Sequence, residues 1–158
     1  MSRIRRFRVL VGLGSPAPNF RLVDSNGRYI SLEDFRGKNL VVYFYPKDFT
    51  RGCTAEACWF RDSYEEFKNL GAEVIGISND NQQSHEAFVK QHGLPFIILS
   101  DTDGAVRKAY GVKKSMGLFP GRVSFVIDKT GIVRHIFSSQ VRATAHVDEA
   151  LAVLRSLQ

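Results

Sequence analysis

Six consecutive apolar residues at 40–45, LVVYFY, closed by Pro46, set the frame for the whole chain. A strand with one wet face alternates apolar and polar side chains. An unbroken apolar run of this length instead suits a central strand covered on both faces. Such a strand needs a layer on each side, and the remaining sequence supplies them. A helix is expected from about 53 to 70 with Gly71 as its stop, then a strand at 73–78 and a helix at 82–92. A strand at 95–99, a short helix at 105–110 and a loop at 111–121 follow. Strands at 123–128 and 132–138 flank the turn signal Asp128-Lys129-Thr130-Gly131 as a hairpin. Val147, Ala150, Leu151 and Leu154 form a last helical stripe. Segments 20–22 and 29–31 flank Asp24-Ser25-Asn26-Gly27 as an N-terminal hairpin. The order describes an α/β sandwich with a mixed central sheet and an N-terminal β-hairpin extension.

The 158 residues suit one domain, expected over 14–158 behind a basic segment at 1–13. No apolar run approaches the roughly 20 residues that span a bilayer. The start has no small-residue cleavage site, so neither a signal peptide nor an anchor is expected, and the default location is cytoplasmic. The net charge of +6 invites a nucleic-acid reading. Arg3, Arg5, Arg6 and Arg8 carry most of the excess, leaving 18 basic against 16 acidic residues over the rest. That is a basic tail and not a patch, and no nucleic-acid or membrane partner is expected.

The two cysteines are the informative feature. They lie five apart, too few for a disulfide scaffold or a four-ligand zinc site. His85, His92, His135 and His146 read as surface residues, and no metal or cofactor is expected. The buried strand delivers Cys53 to a helix N-terminus, where unpaired amides and the positive helix end favour a thiolate. On the helical wheel Cys53 aligns with Ala57, Phe60, Tyr64 and Phe67, and Cys58 with Arg61, Asp62 and Glu65. Their thiols point roughly 140° apart with about 7.5 Å of rise. A disulfide tolerates Cα atoms at most about 7 Å apart, so bonding requires the helix to unwind.

Tyr45-Pro46-Lys47-Asp48, Thr50 and Gly52-Cys53-Thr54 resemble the Pro-x-x-x-Thr-x-x-Cys active-site loop of peroxiredoxins. Glu56-Ala57-Cys58 and Phe60-Arg61-Asp62 narrow the resemblance to the peroxiredoxin Q, or bacterioferritin comigratory protein, subfamily. It continues through 71–78, Leu94-Pro95-Phe96, Leu99-Ser100-Asp101 and 120–129, and covers the chain from about Gly14 to the end. Arg51 departs from it, standing where members often have proline. The resemblance implies a thioredoxin-like fold, with Cys53 as the peroxidatic nucleophile and Cys58 as the resolving thiol. It further implies that Thr50 offers its hydroxyl to thiolate and peroxide, Arg122 stabilises both, and Pro46 shields the pocket. The partners it implies are a hydroperoxide and thioredoxin or a similar dithiol, acting on a monomer.

Ionising a thiol of pKa about 8.5 completely at pH 7 gains only about 30-fold, and a lower pKa blunts the nucleophile. The larger share of the rate has to come from donors aimed at the breaking O–O bond, of which one good donor is worth about 10²–10³. Thr50, Arg122 and the Cys53 amide are the candidates. A disulfide reductase normally spaces its thiols Cys-x-x-Cys and has no need of Thr50 or Arg122. A redox-sensing or chaperone role for the same disulfide stays open. Trp59 and the segment 116–119 are expected to form an apolar patch that rearranges with the helix.

Overall fold

The computed structural model describes residues 11–113 and 121–158. The arginine tail and the 116–119 part of the expected patch lie outside them. The hairpin pairs β1 (Arg21–Asp24) with β2 (Tyr29–Ser31), and a 3₁₀ turn at Leu32–Phe35 leads to β3 (Asn39–Phe44). Then come α1 (Arg51–Asp62), α2 (Tyr64–Asn69), β4 (Ala72–Ser78), α3 (Gln82–His92) and β5 (Ile97–Ser100). The chain ends with α4 (Ala105–Ala109), β6 (Val123–Ile127), β7 (Val133–Ser138) and α5 (Ala145–Ser156). Among the described residues these strands form one mixed sheet in the order β2-β1-β5-β4-β3-β6-β7. β3, β4 and β5 run parallel, and the other neighbours are antiparallel.

The apolar run at 40–45 is β3 from Leu40 onward with Tyr45 just past its end, and alternate side chains enter cores on opposite faces, so no polar side chain interrupts it. Val41, Tyr43 and Tyr45 join one core with Phe60 and Phe67 of α1 and α2, Phe88 of α3 and Leu151 of α5. Leu40, Val42 and Phe44 join the other with Phe35, Val106 of α4, Tyr110 and Phe125. Tyr43 leans over Gly76, where a Cβ would sit 2.8 Å from its ring, and stacks on Phe60 at 4.4 Å between centroids. That contact seats α1 on the sheet.

The helix expected over 53–70 is two helices. It starts earlier, at Arg51, and breaks at Ser63, which caps α1 with φ −99° and ψ 1°. The apolar stripe stays in phase across the break, which is why the helical period does not reveal it.

Candidate active site

The antiparallel pairing of Phe44 with Val123 brings the residue before β6, Arg122, beside the end of β3. Past that end, the loop 46–50 turns the chain into α1, whose first turn carries Cys53. Cys53 faces the core at 1% exposure, and Arg122 is 5% exposed. One planar guanidinium serves three groups. Its Nη2 lies 3.4 Å from Cys53 Sγ, its Nη1 donates to Glu56 Oε1 at 2.7 Å, and its Nε donates to the Gln140 carbonyl at 3.3 Å. Gly52 leaves room for this, since a Cβ there would stand 3.2 Å from Nη2.

Cys53 and Glu56 are three apart on α1 and therefore share a face. Burial pushes the Glu56 carboxyl up to about 8, against the charge and hydrogen bond of Arg122. Burial works against the Arg122 cation too, but Glu56 and Cys53 outweigh it and raise its pKa. Glu56 Oε2 takes no hydrogen bond among the described residues. His146 of α5 lies 3.9 Å from that oxygen through Nδ1. It is buried, not on the surface as expected. Its Nε2–H donates to the Ser139 carbonyl at 2.9 Å, so Nδ1 is left to accept from the Ser124 hydroxyl at 2.6 Å. Burial pushes His146 down to about 4, and nearby Arg122 adds to that, outweighing the Ser139 bond.

The loop has its own anchor. Asp48 accepts from the Tyr45 hydroxyl at 2.6 Å and the Ser84 hydroxyl at 2.8 Å, and His85 Nδ1 lies 2.6 Å away. The other His85 nitrogen donates to the Leu99 carbonyl at 3.1 Å, and the Asp48 amide donates to Asp80 at 2.8 Å. His85 is thus fully buried, the second correction to the surface reading of the histidines. Asp48, Asp80 and His85 have the spacing of metal ligands, but these hydrogen bonds already occupy the Asp48 carboxylate and both ring nitrogens. The neighbouring Phe49 adopts φ +63°, a strained value for a side chain of this size, and packs on Phe88. Thr50 occupies the α1 N-cap with an exposed side chain, and its hydroxyl donates to the Lys47 carbonyl at 2.8 Å. Pro46 is half-buried at the start of the loop.

Both cysteines are free thiols. Cys58 is half-buried on the outer flank of α1, with Sγ 3.9 Å from His92 Nδ1. Trp59 is exposed and its indole N–H donates to Asp148 of α5 at 3.2 Å. Helix α1 therefore holds the two thiols on different sides. Sequence reasoning named Cys53, Arg122 and Cys58 and missed Glu56 as a site residue. The available signal was a carboxylate on the inward stripe, one turn beyond Cys53.

The first turn of α1 thus holds a thiol with a buried guanidinium 3.4 Å from its sulfur. The AhpC/TSA family model matches residues 13–136. The chain belongs to the AhpC/TSA family. Rice peroxiredoxin Q (Oryza sativa subsp. japonica) is 52% identical over 148 residues, which cover 93% of this chain and 68% of that one. The crystal structure of peroxidoxin BcpB from Mycobacterium tuberculosis is 35% identical with a TM-score of 0.87, covering 94% of this chain and 99% of that one. A Xanthomonas campestris bacterioferritin comigratory protein, described for its alkyl peroxide reduction, is 34% identical with a TM-score of 0.81, covering 87% and 91%. The chain is a peroxiredoxin of the Q type with a thioredoxin-like fold, a thiol peroxidase that acts on a peroxide and draws on a thiol reductant. The expectation of a cytoplasmic location does not stand, because the plant relatives are named as chloroplastic.

Proposed function

We propose that Cys53 is the peroxidatic thiol and Cys58 its resolving partner within the same chain. The 3.4 Å approach of Arg122 to Cys53 Sγ carries this reading, because it sets a fixed positive charge on a buried nucleophile. Attack gives a sulfenic acid on Cys53 and releases water or an alcohol. Cys58 condenses with it after the first turns of α1 unwind, and thioredoxin or a similar dithiol reduces the bond. In the role assigned to it, Thr50 turns its hydroxyl from the Lys47 carbonyl toward the bound peroxide, while Pro46 limits water. Residues 14–158 act as one domain and work as a monomer, since an intrachain resolver needs no partner subunit. Neither nucleic acid nor membrane takes part. The names of the plant relatives favour a plastid location.

Peroxide consumption coupled to thioredoxin and its reductase tests this in the wild type, Cys53→Ser and Cys58→Ser. Cys53→Ser is expected to abolish turnover. Cys58→Ser should react once, forming sulfenic acid, and recycle poorly. Full activity in Cys53→Ser would sink the assignment, and efficient recycling in Cys58→Ser would mean that another thiol resolves.

A further inference from the structure

We propose that Glu56 holds the proton that Cys53 gives up and surrenders it when peroxide consumes the thiolate, so that the buried centre stays neutral through the cycle. This rests on Cys53 being the peroxide-reactive thiol.

The argument begins with charge. Arg122 is the cation that touches both Cys53 Sγ and Glu56 Oε1. Both acids are buried, Cys53 at 1% and Glu56 at 0% exposure. Two anions on one cation would leave a net negative charge with almost no water to solvate it, which is strongly disfavoured. Glu56 Oε2 takes no hydrogen bond among the described residues, a poor environment for a full carboxylate and a better one for a neutral carboxyl. When Cys53 is a thiolate, therefore, Glu56 is the acid that keeps its proton.

The groups packed around the pair do not alter that balance. On α5, His146 is a neutral imidazole, donating to Ser139 and accepting from Ser124 of β6. On β3, Tyr43 is a buried phenol held neutral by burial and by the surrounding negative charge. On α4, Arg107 spends its guanidinium on the Gly121 and Tyr45 carbonyls, and Asp101 is the acid that acts on it most strongly, ahead of Cys53. Asp48 is committed by hydrogen bonds to Tyr45, Ser84 and His85 and makes none to Cys53, Glu56 or Arg122. Among the described residues, Cys53 and Glu56 are the two acids in direct contact with the Arg122 guanidinium, and charge is exchanged between them.

In the chemical step, the Cys53 thiolate attacks the terminal oxygen of the hydroperoxide. An S–O bond forms, the O–O bond breaks, and its electron pair leaves on the distal oxygen. Sulfur is oxidised to S–OH and the peroxide is reduced. The leaving oxygen gains one proton and Glu56 loses one, becoming a carboxylate matched by Arg122 alone. Condensation of Cys58–SH with Cys53–SOH then releases water without further net proton change. A dithiol supplies two electrons and two protons to the disulfide, and the proton destined for Cys53 returns to Glu56.

Proton counting tests the proposal. In Cys58→Ser, one equivalent of hydrogen peroxide is added in weak buffer with a pH indicator, while thiolate ultraviolet absorbance reports that Cys53 begins ionised. No net proton uptake is expected. In Cys58→Ser with Glu56→Gln, one proton per thiolate consumed should be drawn from solvent. One proton taken up in the first protein would overturn the proposal, and so would none in the second, because the sulfenic acid would then be the source. The infrared difference spectrum of the first protein supplies a check that does not need the Gln variant to fold. It should lose a protonated-carboxyl C=O band and gain carboxylate bands on oxidation, and unchanged carboxyl bands would again overturn the proposal. If instead the thiolate absorbance does not fall with peroxide, it is the assignment of Cys53 that has failed.

Discussion

Arg122 joins three groups through one rigid plane, and no other cationic side chain reproduces that geometry. Lysine offers a point charge on a flexible stem, so it can satisfy Glu56 or approach Cys53 but not hold both at fixed angles. Arg122→Lys is therefore expected to lower the rate constant for peroxide reduction by about 10²–10³, measured by stopped-flow loss of Trp59 or thiolate signal. A change below about threefold would remove Arg122 from the reacting centre. Cys53 and Arg122 were legible in the sequence because their types and their motif positions carry chemistry wherever they fold. Glu56, His85 and His146 were not, because each owes its importance to burial beside a residue far along the chain. His85 meets Asp48 across 37 positions and His146 meets Ser124 across 22. A helical wheel assigns a histidine to a face but does not show what covers that face. The anchored Asp48 next to the strained Phe49 is a similar case, since only the folded loop reveals that it is tied from three sides.

At the scale of elements, β3 was readable almost to the residue, because burial on both faces leaves an unbroken apolar imprint. The break between α1 and α2 left none, since Cys53, Ala57 and Phe60 before it and Phe67 after it are all buried. Helix α1 is also the element that has to be both made and unmade. Its folded form presents Cys53 to Arg122 and keeps Cys58 beside His92 on another flank. Disulfide formation requires those turns to open, so weakening the helix without touching the site should accelerate it. Ala55 is exposed within α1, between the two thiols. Ala55→Gly costs a helix about 1 kcal/mol, which corresponds to about a fivefold larger unwound population. Conversion of the Cys53 sulfenic acid to disulfide should therefore run about five times faster, read by rapid quench and thiol alkylation. An unchanged or slower conversion would mean that α1 does not limit closure.

For the molecule as a whole, α5 closes the layer that covers α1, and His146 in its first turn ties it to β6 and to the segment after β7. That tie is made by a neutral imidazole; a proton on Nδ1 would reverse the Ser124 hydrogen bond and bury a second cation near Arg122. The folded protein holds His146 at about 4, chiefly through burial, against 6.5 for an ordinary histidine. The sign follows from proton binding. Between these values the unfolded chain binds a proton at this site and the native protein does not, so the contribution of His146 to stability rises with pH across the window. The contribution is complete above 6.5 and is lost progressively as pH falls toward about 4. A shift of this size corresponds to about 3 kcal/mol. Glu56 works in the opposite sense above 4.5, where its carboxyl is protonated in the native protein and ionised in the unfolded chain, but it is present in both proteins compared below and cancels in their difference. His146→Gln removes the titration while keeping an acceptor for Ser124 and a donor for the Ser139 carbonyl. Urea unfolding of both proteins in the reduced state, from neutral pH down to about 4, should show wild type losing about 3 kcal/mol more than the variant. Parallel curves for the two proteins would mean that the α5 anchor takes up a proton without strain, and that the closure of this layer rests on its apolar contacts alone.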